Sequence, residues 1–423
     1  MQAIYTIKRP IRMPDKKIEI LLIAEWKTPA DKRVAFTPDQ CRKIQNRYPA
    51  IRFSIEASES RCISDHAYEI AGIPVCHHPE NADILFGIKE VPPEKLIPGK
   101  TYFFFSHTIK EQPHNRKLLR SLLEKKIEMV DYECLLNEKG ERTVAFGRFA
   151  GIVGAYNAFR LWLEKEEKTK LPAASDCVNM NEMLGKVRPW LHNMKGVKLA
   201  VTGSGRVGKG AVEVLEQLGI KRMHAEDFPD YSGNDPVYSL LSSRHYMERK
   251  DGLAWDEDRF RNHPEEYEGC FEAYAACSDI LISCHYWNPK APALFSLSDI
   301  CSRDFRISVI SDVTCDIGGS IPTTLRASTI AQPFYDVERK TGAEIPAFSV
   351  PPSESVSVCA VDNLPCELPA DASSAFGEML MDEVIPELIG SIRPSIMGAT
   401  ICKNGELMPG FAYLQDYANG KES

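Results

Sequence analysis

The stretch 197–219, VKLAVTGSGRVGKGAVEVLEQLG, decides how the chain reads. It opens on an apolar run at 197–201, the length of a buried strand. Gly203, Gly205 and Gly208 follow in the spacing G-x-G-x-x-G, with Ser204, Arg206 and Val207 between them. Ala211, Val212, Val214, Leu215 and Leu218 then recur at helical spacing up to Gly219. Strand, glycine turn and helix in that order are the context in which this motif binds a dinucleotide. Gly203 permits the tight turn, Gly205 lets backbone N–H groups approach a pyrophosphate, and Gly208 lets helix and strand pack closely. The helix start adds unpaired donors and a positive dipole end. A second strand is expected at 220–225, ending at Glu226 and Asp227, about 20 residues past the glycines, where an acid holds a ribose 2′-hydroxyl. An acid there repels a 2′-phosphate, which favours NAD over NADP. The plainer alternative is that both acids are solvated charges at a strand end.

Working outward, 423 residues suffice for two or three domains. A net charge of −8 gives no general basic footprint for nucleic acid. The 13 cysteines form no C-x-x-C pair, which argues against a zinc ribbon or a thioredoxin-like motif and suits free thiols in a reducing cytoplasm. His77-His78 lacks further ligands, so no metal is expected. No signal-peptide core and no apolar run of membrane-spanning length is read, so no membrane partner is expected.

Residues 1–17, mixed and basic, read as an edge or poorly ordered segment. Beyond them strands at 18–24, 53–57, 84–88, 101–106 and 127–132 alternate with helices near 39–48, 65–71 and 115–125. Thr37-Pro38 supplies an N-cap followed by proline at the first helical position. The alternation predicts a parallel α/β unit, in which ligands collect beyond the carboxyl ends of strands. Lys27, Arg33, Lys89, His107, Lys110 and Glu133 all fall just after strands, and that coincidence points to an active site. Residues 145–163 read as a long apolar helix bridging two lobes, and 229–236 and 251–268 as surface loops or an insertion. Strands at 280–284 and 307–311 lead to His285 and Asp312. A helix within 368–388, from about 371 onward given Pro365 and Pro369, is able to return to the first lobe and make it discontinuous. The expected division is 1–146 with about 330–423 for substrate, and 147–329 for the dinucleotide.

The stretches 102–110 (YFFFSHTIK), 142–157 (RTVAFGRFAGIVGAYN), 240–245 (LLSSRH), 312–320 (DVTCDIGGS) and 360–368 (AVDNLPCEL) resemble the saccharopine-forming lysine–2-oxoglutarate reductases. More widely they resemble the family that joins stand-alone saccharopine dehydrogenases, alanine dehydrogenase and transhydrogenase. The similarity runs from about residue 18 to the tail. It implies an α/β fold of two Rossmann-like parallel-sheet lobes with the active site in a cleft between them. It implies a reaction in which lysine and 2-oxoglutarate condense to an imine that a nicotinamide, NAD or NADP, reduces to saccharopine. Carried over by motif, Lys89 and His107 become the acid–base pair, with Glu90 tuning their charge. Lys110, Lys27 and Arg33 bind substrate carboxylates, Glu133 stands near the substrate amine, and Asp316 lies near nicotinamide and substrate.

The residue types suit that chemistry. Saccharopine carries three carboxylates, which call for several Lys and Arg groups. Imine chemistry moves protons near neutral pH, which suits His and a Lys whose pKa is lowered by neighbouring cations. Bland readings stay open: Lys110 and Lys27 as surface cations, Arg33 as a helix cap, Asp312 and Asp316 as structural caps. His245 matches the reductase-like stretch without a chemical role. Two other functions compete, an alanine dehydrogenase-like activity and a non-catalytic NAD-binding sensor.

Overall fold

The computed structural model describes residues 17–27 and 30–421, so the basic segment read at 1–17 lies, but for Lys17, outside the described residues. The leading part carries strands β1 (Ile18–Leu22), β2 (Ile51–Ile55), β3 (Ile84–Phe86), β4 (Thr101–Phe104) and β5 (Glu128–Asp131). The central part carries β6 (Lys198–Thr202), β7 (Lys221–Met223), β8 (Val237–Leu241), β9 (Met247–Arg249), β10 (Tyr267–Gly269), β11 (Ile280–Ser283), β12 (Val309–Asp312), β13 (Phe334–Glu338), β14 (Glu344–Ile345) and β15 (Ser355–Cys359). The tail adds β16 (Thr400–Lys403) and β17 (Glu406–Leu407). The chain divides into two compact units, Met1–Ala145 with Pro369–Ser423, and Phe146–Leu368. Both are Rossmann-like and built on largely parallel sheets.

The first unit's sheet runs β17-β16-β5-β4-β3-β1-β2, parallel from β5 to β2, with the tail strands added antiparallel. Its inner strands are mostly apolar, with Ile84–Phe86 and Tyr102–Phe104 buried at the centre of the sheet. Phe86 and Phe103 stack at 4.5 Å within this core. The helix Pro38–Arg47 starts on a capping box in which Thr37 and Gln40 satisfy each other's backbone N–H. Gln40 also donates from Nε2 to the Ser374 carbonyl (2.7 Å) and to Glu378 Oε1 (3.1 Å) on the helix Pro369–Glu383. A Cβ at Gly377 would lie 2.1 Å from Gln40 Oε1, so the two helices close on a glycine.

The second unit's sheet runs β14-β13-β15-β12-β11-β6-β8-β7, parallel from β15 to β7. Strands β13 to β15 explain why the boundary falls at Leu368 and not near 330. Residues 334–359 extend this sheet, with β15 in register beside β12. The helix Gly147–Glu166, expected to bridge the lobes, lies wholly in the second unit. It packs on the helix Arg206–Gln217, where a Cβ at Gly151 would stand 1.9 Å from the Val207 carbonyl. The region 251–268 is not loop alone. Its Trp255, Phe260 and Tyr267 form an aromatic cluster at 5.0–5.3 Å beside the β9–β10 ribbon.

Candidate active site

Parallel neighbours end on one edge of a sheet, so β1, β3, β4 and β5 deliver Glu25, Lys89, His107 and Glu133 to one rim of the first unit. Glu25 anchors it. Its carboxylate accepts from the Ile88 N–H (2.6 Å) and the Lys89 N–H (2.9 Å), tying the segment after β3 to the segment after β1. Burial, and next the charge of Asp31, raise the Glu25 pKa to about 8. Lys89 is half-buried. Burial, then the cations Arg33 and Lys27, lower its pKa from the ordinary lysine range.

His107 holds a left-handed backbone (φ 53°), uncommon outside glycine and frequent where a site demands it. Its ring stacks near Phe105 at 6.4 Å, and its Nδ1 meets the Glu90 carboxylate in a short hydrogen bond. Burial pushes the Glu90 pKa up, but the His107 hydrogen bond and charge outweigh it and hold the carboxyl at about 2. Asp131 braces the rim from below. One of its oxygens accepts from the Ser106 N–H (2.9 Å) and hydroxyl (2.5 Å), the other from the Glu133 N–H (2.7 Å). One buried acid thus fixes the turns that present His107 and Glu133.

Glu133 has a side chain only 8% exposed, and Lys110 Nζ (3.4 Å) and Arg142 Nη2 (3.3 Å) share its Oε1. Its Oε2 is buried with no hydrogen-bond partner among the described residues, an acceptor left for a donor from outside the chain. Lys110 and Lys27 are exposed. Arg33 is buried and makes a two-pronged pair with Asp31, Nε to Oδ1 at 2.9 Å and Nη2 to Oδ2 at 2.6 Å. That fork is therefore internal.

In the second unit the glycine turn has the geometry its spacing predicts. Gly203 sits at φ 90°, and a Cβ there would stand 2.5 Å from the His285 Cα. A Cβ at Gly208 would meet the Gly203 carbonyl at 1.7 Å. At Gly205, the N-cap of the helix Arg206–Gln217, a Cβ would meet nothing within 4 Å. The backbone is bare on that side, and Ser204 and Arg206 are exposed beside it while Val207 is half-buried. This cradle fits a pyrophosphate. Beneath it, His285 bonds Thr202 Oγ1 through Nδ1 and Ser320 Oγ through Nε2, both at 2.8 Å, and burial holds its pKa down at about 4. Neutral His285 thus joins β6 to the segment after β12. Asp312 accepts from the hydroxyls of Thr314 and Thr324 (2.6 Å each), the structural cap that its sequence allowed. Asp316 is exposed in the turn that follows. Glu226 and Asp227 are exposed after β7, which pairs with β8 alone at the sheet's edge.

Sequence reasoning gave no role to Glu25 and Asp131, and it placed His285 at a strand end without its bracing role. A charged or polar residue within two positions of an apolar run was the available signal for each. No cluster of three or more metal-ligating side chains occurs among the described residues. Nor is any helix among them long and apolar enough to cross a membrane.

The chain thus carries a glycine cradle on one α/β unit and a titratable rim on the other. Residues 21–153 match the family described as alanine dehydrogenase/PNT, N-terminal domain. L-alanine dehydrogenase shares the fold, with a TM-score of 0.63 at 18% identity over 95% of this chain and 99% of that one. The mitochondrial alpha-aminoadipic semialdehyde synthase of Bos taurus is 29% identical over 93% of this chain and 47% of its own length. The Rattus norvegicus enzyme of the same name is 30% identical over 87% of this chain and 44% of its own length. The chain thus spans about half of these curated relatives. The saccharopine dehydrogenase (NAD(+), L-lysine-forming) of Emericella nidulans is 26% identical over 87% of this chain and 91% of its own. Over its leading third the chain thus matches the alanine dehydrogenase/PNT N-terminal family model, and over most of its length it is similar to part of alpha-aminoadipic semialdehyde synthase and to saccharopine dehydrogenase.

Proposed function

We propose that the protein is an oxidoreductase acting on the CH–NH group of an amino acid, joining lysine and 2-oxoglutarate reversibly into saccharopine with a nicotinamide dinucleotide, NAD or NADP. The observation that carries this reading is the His107–Glu90 pair on the same rim as a half-buried Lys89 whose charge burial and two cations disfavour. A lysine of that kind takes a proton from the substrate ammonium and so frees its amine to attack the 2-oxoglutarate carbonyl. With Nδ1 engaged by Glu90, His107 exchanges protons through Nε2, giving one to the departing carbinol oxygen. Lys27 and Lys110 hold carboxylates as exposed point charges, with Arg33 behind them. Glu133 Oε2 accepts from the substrate amine. A bound nicotinamide supplies the hydride. Gly203, Ser204, Gly205, Arg206, Val207 and Gly208 would hold its pyrophosphate, Glu226 and Asp227 its ribose, and Asp316 would serve its nicotinamide end. The cysteines of the described residues are free, which supports a reducing compartment such as the cytoplasm.

The test is oxidation of NADH and NADPH in the presence of lysine plus 2-oxoglutarate, with saccharopine identified by mass. Turnover with that pair is expected. Turnover confined to pyruvate plus ammonia overturns the reading in favour of an alanine dehydrogenase-like enzyme. Dinucleotide binding without turnover of either pair overturns it in favour of a sensor.

A further inference from the structure

A cavity of about 1080 Å³ opens in the second unit, at the end of its sheet opposite the glycine turn. Val197, Asp279, Ser308 and Glu354 stand in its wall, and they immediately precede β6, β11, β12 and β15. These strands are parallel neighbours, so the cavity lies at their amino ends, while Gly203 follows the carboxyl end of β6. The length of β6 separates the two ends by about 16 Å. The volume is that of a small-molecule site.

Arg339 is half-buried in this wall. Its Nη1 donates to the carbonyls of Ile300 (2.9 Å) and Phe305 (3.0 Å), and its Nη2 to that of Ile307 (2.7 Å). Those bonds fix the guanidinium without neutralising it. Arg339 makes no ion pair among the described residues, and burial pulls its pKa below the ordinary arginine value. A guanidinium has five N–H donors, so the Nε–H and one Nη2–H remain for a carboxylate in two-pronged contact.

The rest of the wall carries both signs. Arg306 is taken up by Asp279, at 2.7 Å. Glu338 accepts from the Thr341 hydroxyl, at 2.6 Å. Lys195, Arg303, Lys340, Glu166 and Glu354 are exposed, and their side chains form no hydrogen bond or ion pair among the described residues. Glu354 is the free acid tied to Arg339, whose N–H donates to the Glu354 carbonyl at 2.8 Å. Trp162, Val197 and Phe305 are buried and add apolar surface. The glutamates repel a polyanion, and Arg339 repels a simple cation. A ligand with a carboxylate, an ammonium and an apolar body suits every part of the wall.

We propose that this cavity binds a free amino acid with an apolar side chain, its carboxylate on Arg339, its ammonium on Glu354 and its side chain against Trp162 and Phe305. The site is independent of the reaction assigned to the rims, since none of their residues lines the cavity.

The test is ligand-observed NMR titration of the full chain with L-leucine and L-phenylalanine, without substrates or dinucleotide. At least one is expected to bind with a dissociation constant of about 1 mM or lower. The matching acid that lacks the ammonium, isocaproate or hydrocinnamate, should bind about tenfold more weakly. Arg339→Lys keeps the charge and loses the fork, and Glu354→Gln removes only an unbonded surface charge. Each should weaken the amino acid about tenfold and leave dinucleotide affinity within about twofold. Should Arg339→Lys fail to fold, Glu354→Gln decides. Binding of neither amino acid below about 10 mM, equal binding of the ammonium-free acid, or unchanged affinity in Glu354→Gln would each overturn the proposal.

Discussion

The two units solve the same problem, a ligand beyond the carboxyl ends of a parallel sheet, with opposite materials. The first unit's rim is made of side chains: Glu25, Lys89, Glu90, His107, Asp131 and Glu133, most of them already bonded to one another or to the backbone. The second unit's rim is made of backbone, kept bare by Gly203, Gly205 and Gly208. Side chains can hold and release protons, whereas bare N–H groups can only hold an anion in place. The division of chemistry follows from that difference.

Substitutions can break the comparison at graded cost. Gly208→Ala and Gly203→Ala drive a Cβ into backbone at 1.7 and 2.5 Å. Each is expected to cost about 4 kcal/mol or more, read as loss of the second unit's cooperative melting. Glu25→Gln acts through pH. The native Glu25 keeps its proton to about pH 8 while the unfolded chain releases it near the ordinary glutamate value. Wild-type stability therefore declines as pH rises from about 4.5 to about 8. The variant should flatten that decline by about 3–5 kcal/mol in denaturant titrations at several pH values; an unchanged slope would show Glu25 ionised.

Smaller effects sharpen the contrast. Glu133→Gln replaces a buried acceptor with an amide and should raise the lysine KM about tenfold with little change in dinucleotide affinity. Gly205→Ala meets no atom of the chain, so stability should stay within about 1 kcal/mol while dinucleotide affinity falls about tenfold. Equal loss of stability at 205 and 208 would erase the distinction between a packing glycine and a contact glycine.

Local patterns in the sequence carried most of the fold. The N-cap at Thr37 with Pro38 after it and the strand–turn–helix at 197–219 are signals within a few residues, and both are present as read. Pairing order is a different kind of information. Nothing near 220–225 says that the strand there goes to an edge, because β8, which displaces it, starts twelve residues further on. The domain boundary was hidden for the same reason: β15 joins the second unit through its pairing with β12, about 45 positions earlier in the chain. In the site, residue types were legible and partners were not. Arg33 reads as a carboxylate binder until Asp31, two residues away, is seen to fill its fork. Glu25 and Asp131 read as ordinary acids, since what makes them unusual is the set of N–H groups that fold onto them.

The division of labour between the rims is tested most directly by His107→Gln, with kcat for the lysine plus 2-oxoglutarate reaction and the dinucleotide dissociation constant measured on one preparation. The account predicts a fall in kcat of about 100-fold or more, the worth of a positioned acid–base group, with dinucleotide affinity within about twofold of wild type. A variant that turns over normally, or that loses dinucleotide affinity in step with kcat, would contradict it.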